Sequence, residues 1–128
     1  MPEAGGSKKL LWAGWIISAL PALMMCVGGI YGLSHADAVR EQMGKFGYPD
    51  RVALPLTIIE IVCAVIYMIP RTSTLGAILL TGYLGGATAT HVRVSEPVFV
   101  VPVIVGIVVW VGLLLREPRL WPLLPLRR

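Results

Sequence analysis

The chain has 128 residues, of which 56% are hydrophobic and only 14% are charged. Soluble domains carry about 25% charged residues, so this composition excludes an ordinary soluble domain and favours a membrane protein. The net charge is +4, but no contiguous basic face lies outside the apolar runs, so we expect no nucleic-acid partner.

Four apolar runs each reach about 18 residues or more, which is the length that crosses a bilayer as a helix. They predict membrane-spanning helices at about residues 10–33, 52–69, 74–92 and 97–115. We therefore predict an all-α protein, an integral membrane four-helix bundle that occupies residues 10–116. Residues 1–9 form a short cytoplasmic segment before it, and residues 117–128 form a cytoplasmic tail rich in Pro and Arg.

Basic residues predict the topology, because Lys and Arg gather on the cytoplasmic side of membrane proteins. If both termini lie on one side, that side holds most of the basic residues, namely Lys8, Lys9, Arg71, Arg116, Arg119, Arg127 and Arg128. We therefore predict that both termini are cytoplasmic and that the chain is a multi-pass protein of the inner (plasma) membrane.

A signal peptide is the alternative interpretation of the first apolar run. Lys8 and Lys9 precede it, and Ser34-His35-Ala36 resembles a cleavage site. The apolar core of a signal peptide has about 7–15 residues, whereas this run has 24. We expect the run to be retained as a membrane helix.

A short surface helix is predicted between the first two spans. Its apolar residues recur at helical intervals, at Ala36, Val39, Met43 and Phe46. Ser34 to Asp37 has the spacing of a capping box, and Gly44 and Gly47 are expected to close the helix.

Glu60 lies near the middle of the second span, where a carboxylate facing lipid costs roughly 2.5–3.5 kcal/mol. The Val, Leu and Ile residues of this span offset that cost, so we expect the span to insert and Glu60 to face the bundle interior. Thr57 and Tyr67 share its helix face, and Tyr83 lies at the same depth in the third span. We predict these four residues as ligand contacts. The sequence does not decide whether Glu60 carries protons, contacts a ligand or only makes a buried hydrogen bond, nor whether it faces Tyr83.

Two histidines, His35 and His91, lie on the predicted outer side, and we add His91 to the predicted ligand contacts. A pair of histidines is able to ligate haem or a metal ion, but no other strong ligand accompanies this pair, so neither is favoured. Quinone is the candidate cofactor. The sequence contains no Ser–His–Asp set, phosphate loop or nucleotide fingerprint, so it assigns no catalytic residue and favours a protein that is not an enzyme.

The third span is rich in Gly and Thr. Gly82-x-x-x-Gly86 has the spacing that lets membrane helices approach closely, and Gly85 belongs to a second stripe of small residues. We predict that these three glycines pack against a neighbouring helix.

Several segments of the chain resemble the DoxX-like family. The resemblance is carried by the sequences YMIPRTS at 67–73, LGAILLTGYLGGA at 75–87 and THVR at 90–93. Gly47-Tyr48-Pro49 and Glu60 fit the same family, and the similarity covers roughly residues 10–116. It implies a four-helix integral membrane protein of bacterial type.

The resemblance also implies a function. Members of the family look like accessory subunits, and relatives are linked to thiosulfate:quinone oxidoreductase and to membrane redox complexes that contain superoxide dismutase. We predict a non-catalytic accessory subunit of a membrane redox complex that contacts quinone or a lipid-like ligand near Glu60. The expected partners are membrane lipid, an oxidoreductase subunit and a second copy of the chain. The alternatives are a small-molecule or proton-coupled transporter and a membrane assembly factor.

Overall fold

The computed structural model describes residues 4–124, and side chains from residue 8 onward. It contains five α-helices, α1 (Ala4–Ser34), α2 (Ala36–Lys45), α3 (Ala53–Met68), α4 (Ser73–Arg93) and α5 (Val100–Arg116). Short 3-10 turns lie at Asp50–Val52, Pro70–Thr72, Pro97–Phe99 and Pro118–Leu123. Residues 4–124 contain no strand, so the all-α prediction is confirmed for this part of the chain.

The four long helices pack in a ring. Helix α1 packs against α3 and α5, and α4 packs against the same two helices from the other side. Helix α2 lies across one end of the ring and contacts α1 and α3. Because α4 runs back from the hairpin at Pro70–Thr72, its last residues come close to the end of the ring that α2 covers.

Within residues 4–124, three helices are long and apolar enough to cross a membrane. They extend over Lys8–Ser34, Asp50–Met68 and Pro97–Arg116, with mean hydropathies of 2.0, 1.9 and 3.0. Large apolar side chains on all three point outward, among them Ile16, Ile58 and Ile104. This arrangement suits a surface that lipid solvates, because a lipid chain is as apolar as the side chain it touches.

Residues of mixed size, from Ser and Ala to Tyr, fill the centre of the ring. The fully buried residues are Ser18, Ala64, Tyr67, Ala77, Leu80, Val109 and Leu113. They come from all four long helices, so each of these helices presents a narrow face to a common core.

The closest helix contacts occur at glycines other than the predicted ones. A Cβ added to Gly14 of α1 would lie 2.7 Å from the backbone nitrogen of Arg116, and one added to Gly112 of α5 would lie 2.9 Å from that of Ser18. A Cβ on Gly76 of α4 would collide with the backbone of Tyr67. At each of these positions the neighbouring helix is too close for any side chain.

The predicted packing role of Gly82, Gly85 and Gly86 is wrong within the chain. A Cβ added to any of the three meets nothing within 4 Å. The physical reason is the orientation of α4, whose buried face consists of Ser73, Gly76, Ala77, Leu80, Leu84 and Thr90. The three glycines lie on other faces of the same helix and are exposed.

The predicted surface helix is present as α2, but the capping box is not formed. Its N-cap residue is His35, which makes no side-chain cap bond. Ser34 is still part of α1, and its hydroxyl donates to the Ile30 carbonyl at 3.1 Å, as serines inside helices commonly do. At the other end, Gly47 adopts φ +87°, a conformation that favours glycine.

Candidate ligand-binding site

A cavity of about 320 Å³ lies at the end of the ring that α2 covers. Its lining residues are Met43, Phe46, Tyr48, Leu56, Gly82, Tyr83, Gly86, Ala87, Thr90 and His91. Helix α4 supplies six of them. Most of the wall is apolar. Its polar groups belong to Tyr83, Thr90 and His91 on α4 and to Tyr48 on the loop that follows α2.

The α2–α3 loop forms the roof of the cavity and is fastened to the end of α4. The buried Phe46 ring lies edge-on against His91, with 5.0 Å between ring centroids. Arg93 donates a hydrogen bond to the Phe46 carbonyl, and its guanidinium lies over the Tyr48 ring at 5.9 Å. These contacts hold the roof in one position relative to the wall.

Tyr48 and Thr90 form a directed chain of hydrogen bonds. The Thr90 hydroxyl lies 2.8 Å from the Gly86 carbonyl and 2.7 Å from the Tyr48 hydroxyl. A carbonyl only accepts, and a hydroxyl has a single hydrogen. Thr90 therefore donates to Gly86, and Tyr48 donates to Thr90, so neither hydroxyl hydrogen is left for a ligand.

One ring nitrogen of His91 has no hydrogen-bond partner among the residues that the structure describes. Its Nδ1 lies 2.8 Å from the Ala87 carbonyl and must carry the hydrogen of that bond, because the carbonyl is an acceptor. The neutral ring then keeps an unprotonated Nε2, and the protonated ring offers a second donor there. His91 is the histidine of this cavity.

The second histidine lies elsewhere. His35 stacks on Tyr31 with 4.0 Å between ring centroids, and its Nδ1 bonds to the Tyr31 carbonyl at 3.0 Å. In the described part of the chain, no group of three or more His, Cys, Asp or Glu residues is placed to hold a metal ion. Both cysteines, Cys26 and Cys63, are free thiols.

Tyr83 lines the cavity, whereas Glu60 lies beside it. Glu60 is half-buried on α3. Within residues 4–124 no hydrogen bond joins the two side chains. The carboxylate also borders α1, since a Cβ added to Gly28 would lie 3.8 Å from Glu60 Oε2. Glu60 thus faces α1 and does not line the cavity.

Thr57 and Tyr67, which we predicted as ligand contacts, do not line this cavity. Thr57 donates to the Ala53 carbonyl at 2.9 Å and packs against α1, where a Cβ on Gly32 would lie 3.3 Å from its Cγ2. Tyr67 is ten residues further along α3, about 15 Å at the rise of an α-helix. Residues on one helix face therefore reach quite different surroundings.

Tyr67 belongs to the packed core at the other end of the ring. Its hydroxyl lies 2.6 Å from the Val109 carbonyl and 2.9 Å from the Ser18 hydroxyl. The phenol donates its one hydrogen to the carbonyl, so Ser18 donates to the phenol. This hydroxyl ties α3 to α1 and α5.

Sequence analysis missed the roof of the cavity. Met43, Phe46 and Tyr48 come from the short helix and loop, and Thr90 comes from the end of α4. The helical spacing of Met43 and Phe46 was the available signal, because an apolar face on a surface helix must pack on something.

The comparisons with known proteins give one match. The family model described as the DoxX-like family matches residues 16–112, which is more than half of the chain and includes α3, α4 and most of the cavity wall. No curated protein and no solved structure matches the chain. Together with the three apolar helices, the family match makes this chain a membrane protein, and the chain belongs to the DoxX-like family.

Proposed function

We propose that this protein binds a quinone or a lipid-like ligand in the cavity beneath α2 and acts as a non-catalytic accessory subunit of a membrane redox complex. The observation that carries the proposal is a largely apolar cavity in which Tyr83 and His91 are the polar groups left to meet a ligand. Cavities that bind small molecules have this composition, with a few polar groups on an apolar wall.

The proposal places all four long helices across the bilayer. Helix α4 has 21 residues, enough to span about 30 Å of hydrocarbon at 1.5 Å per residue, although Gly and Thr lower its hydropathy. The membrane domain is then residues 10–116, with both termini in the cytoplasm and the protein in the inner membrane. The cavity opens near the outer surface in that topology.

The chemistry of the two polar groups suits both redox forms of a quinone. The Tyr83 hydroxyl donates to a quinone carbonyl and accepts from a quinol hydroxyl. The free Nε2 of His91 accepts from a quinol when the ring is neutral and donates to a quinone when the ring is protonated. We further propose that Glu60, which is half-buried on α3, exchanges a proton with the site.

Titration with decylubiquinone tests the proposal. Gly86→Leu places a large side chain in the cavity, and we expect it to weaken binding at least about tenfold, or about 1.4 kcal/mol. Gly85→Leu is the matched control, because Gly85 lies on the adjacent groove between α4 and α5. Calorimetry of the detergent-solubilised protein measures both affinities. Equal binding by the two variants, or no binding by the parent, would refute the proposed site.

The role of Glu60 is tested in the same titration. Glu60→Gln keeps the size and hydrogen-bonding capacity of the side chain but cannot ionise. If Glu60 exchanges protons with the site, binding of the quinol should depend on pH in the parent and lose that dependence in the variant. If the pH dependence of quinol binding persists unchanged in Glu60→Gln, a group other than Glu60 causes it, and His91 is the first candidate.

The alternative functions rank lower. A transporter is expected to contain broken membrane helices, and α1, α3, α4 and α5 are each continuous within the described residues. No contact in the structure specifically favours an assembly factor. Isolation in mild detergent separates these alternatives: a bound oxidoreductase subunit supports the accessory role, and quinone binding without any partner leaves a simple ligand carrier.

A further inference from the structure

A buried arginine lies at the end of the ring opposite the cavity. Arg116 closes α5 and is only 8% exposed. Its Nη2 donates to the Tyr67 carbonyl at 2.7 Å, which satisfies one of the carbonyls left unpaired at the end of α3. The guanidinium carbon lies 4.4 Å from the ring centre of Trp15 and 4.5 Å from that of Tyr67.

The guanidinium has donors without acceptors. Arg116 Nε and Nη1 are both buried and make no hydrogen bond in the described part of the chain, so three N–H bonds are unmet. An unsatisfied buried donor costs about 1–3 kcal/mol, and more when the group is charged. A buried cation in this state requires an anion or a strong acceptor nearby.

The chain's nearest carboxylate along the sequence is already engaged. Glu117 accepts two hydrogen bonds of 2.8 Å from Arg119, and this contact holds the pKa of Glu117 below its usual range. Arg119 is largely exposed, so this pair lies at the surface while Arg116 is inside. Within the described residues, Glu117 therefore makes no hydrogen bond to Arg116.

A second cavity borders α1 at the same end of the ring, and the Trp15 ring separates it from Arg116, which does not line it. The cavity measures about 350 Å³ and is lined by Lys8, Leu11, Trp12 and Trp15, which recur on one face of α1. Trp15 is shared, since its ring forms the cavity wall on one side and contacts the guanidinium on the other. Lys8 begins one apolar span and Arg116 ends another, so both belong to the same end of the ring.

We propose that Arg116 and Lys8 bind the phosphate group of an anionic phospholipid, with its first acyl carbons against Leu11 and Trp12 and the Trp15 ring turned aside. Phosphate oxygens are strong acceptors for guanidinium groups, and basic pockets between membrane helices recognise such headgroups. The lipid supplies the acceptors that Nε and Nη1 lack. This site is independent of the quinone cavity and of the function proposed for it.

The test is native mass spectrometry of the detergent-released protein titrated with phosphatidylglycerol and, separately, with phosphatidylcholine. We expect the parent to prefer phosphatidylglycerol. Lys8→Gln should lower that preference about fivefold, the effect of one basic residue at a membrane surface, and Arg116→Gln about tenfold or more. Lys9→Gln is the matched control and should leave the preference unchanged, because Lys9 is exposed on the same helix but does not line the cavity.

Lys8→Gln keeps the test decisive even if Arg116→Gln fails to fold after losing its bond to α3. Lys8 is exposed, so its replacement leaves the core intact. Equal affinity of the parent for the two lipids, or an unchanged preference in Lys8→Gln, would overturn the proposal. Inorganic phosphate is a separate arm: if it displaces phosphatidylglycerol at equal concentration, the site recognises free phosphate and the lipid assignment is wrong.

Discussion

At the scale of single residues, Tyr67 and Tyr83 differ in what surrounds their hydroxyls. Tyr67 is fully buried, and its hydroxyl is bonded to the Val109 carbonyl and to Ser18. Tyr83 is half-buried against a cavity, and within the described residues its hydroxyl has no bonded partner. One hydroxyl is therefore part of the packing, and the other is available for a ligand.

This contrast predicts opposite effects of the same substitution. Tyr67→Phe removes the buried hydrogen bond to the Val109 carbonyl and leaves the buried Ser18 hydroxyl without its acceptor, so we expect a loss of stability of about 1–3 kcal/mol. Tyr83→Phe breaks no bond in the protein, so we expect little change in stability and weaker quinone binding. Thermal unfolding in detergent and the decylubiquinone titration measure the two effects. A pair of variants that lose the same stability would contradict this assignment.

At the scale of helices, the packing depends on where two backbones meet. Gly14 and Ser18 of α1 face Gly112 and Arg116 of α5, each pair one helical turn apart. Close approach there leaves no space for a Cβ, and it also buries Arg116 beneath α1. The small residues of this contact thus create the buried charge on which the proposed lipid site depends.

Two glycine substitutions test this packing. Gly112→Ala adds a Cβ that would lie 2.9 Å from the backbone of Ser18, so α1 and α5 must move apart, at a cost of about 1–3 kcal/mol. Gly82→Ala meets open space, and we expect stability to stay equal or rise by up to about 1 kcal/mol, since Ala favours helix over Gly. Thermal unfolding in detergent compares them. If Gly82→Ala lowers the stability more than Gly112→Ala does, the predicted packing role of Gly82 would be restored, as a contact with another molecule.

The sequence predicts the helices well because a run of apolar residues is a property of one segment. It predicts contacts between helices poorly, because these depend on how each helix rotates about its axis. Gly82 and Gly86 have the spacing of a packing motif, but Gly76 lies on the face that meets α3. In the sequence, Arg116 is simply a basic residue at the end of a span. It is buried because α1 approaches α5 closely at Gly14. Tyr83 and His91 share the cavity because α4 carries both.

At the scale of the whole molecule, the two ends of the ring carry different chemistry. One end has the α2 roof over Tyr83 and His91, and the other has Arg116 behind Trp15. Apolar side chains such as Ile16 and Ile104 cover the sides between them, as a lipid-solvated protein requires. The orientation of the chain then decides which leaflet each site meets, and the proposed lipid site fits the cytoplasmic leaflet, where anionic lipids gather.

The final prediction is this orientation. The excess of basic residues at the two ends of the chain favours a cytoplasmic location for both termini. In a background in which Cys26 and Cys63 are replaced by Ser, a cysteine at Lys9 or at Arg119 should resist a membrane-impermeant maleimide in intact cells. A cysteine at Lys45, at the exposed end of α2, should react. Permeabilised cells provide the control, since all three positions should then be labelled. Labelling of Lys9 or Arg119 positions in intact cells would reverse the topology, and it would place the Arg116 site in the outer leaflet and the quinone cavity in the inner one.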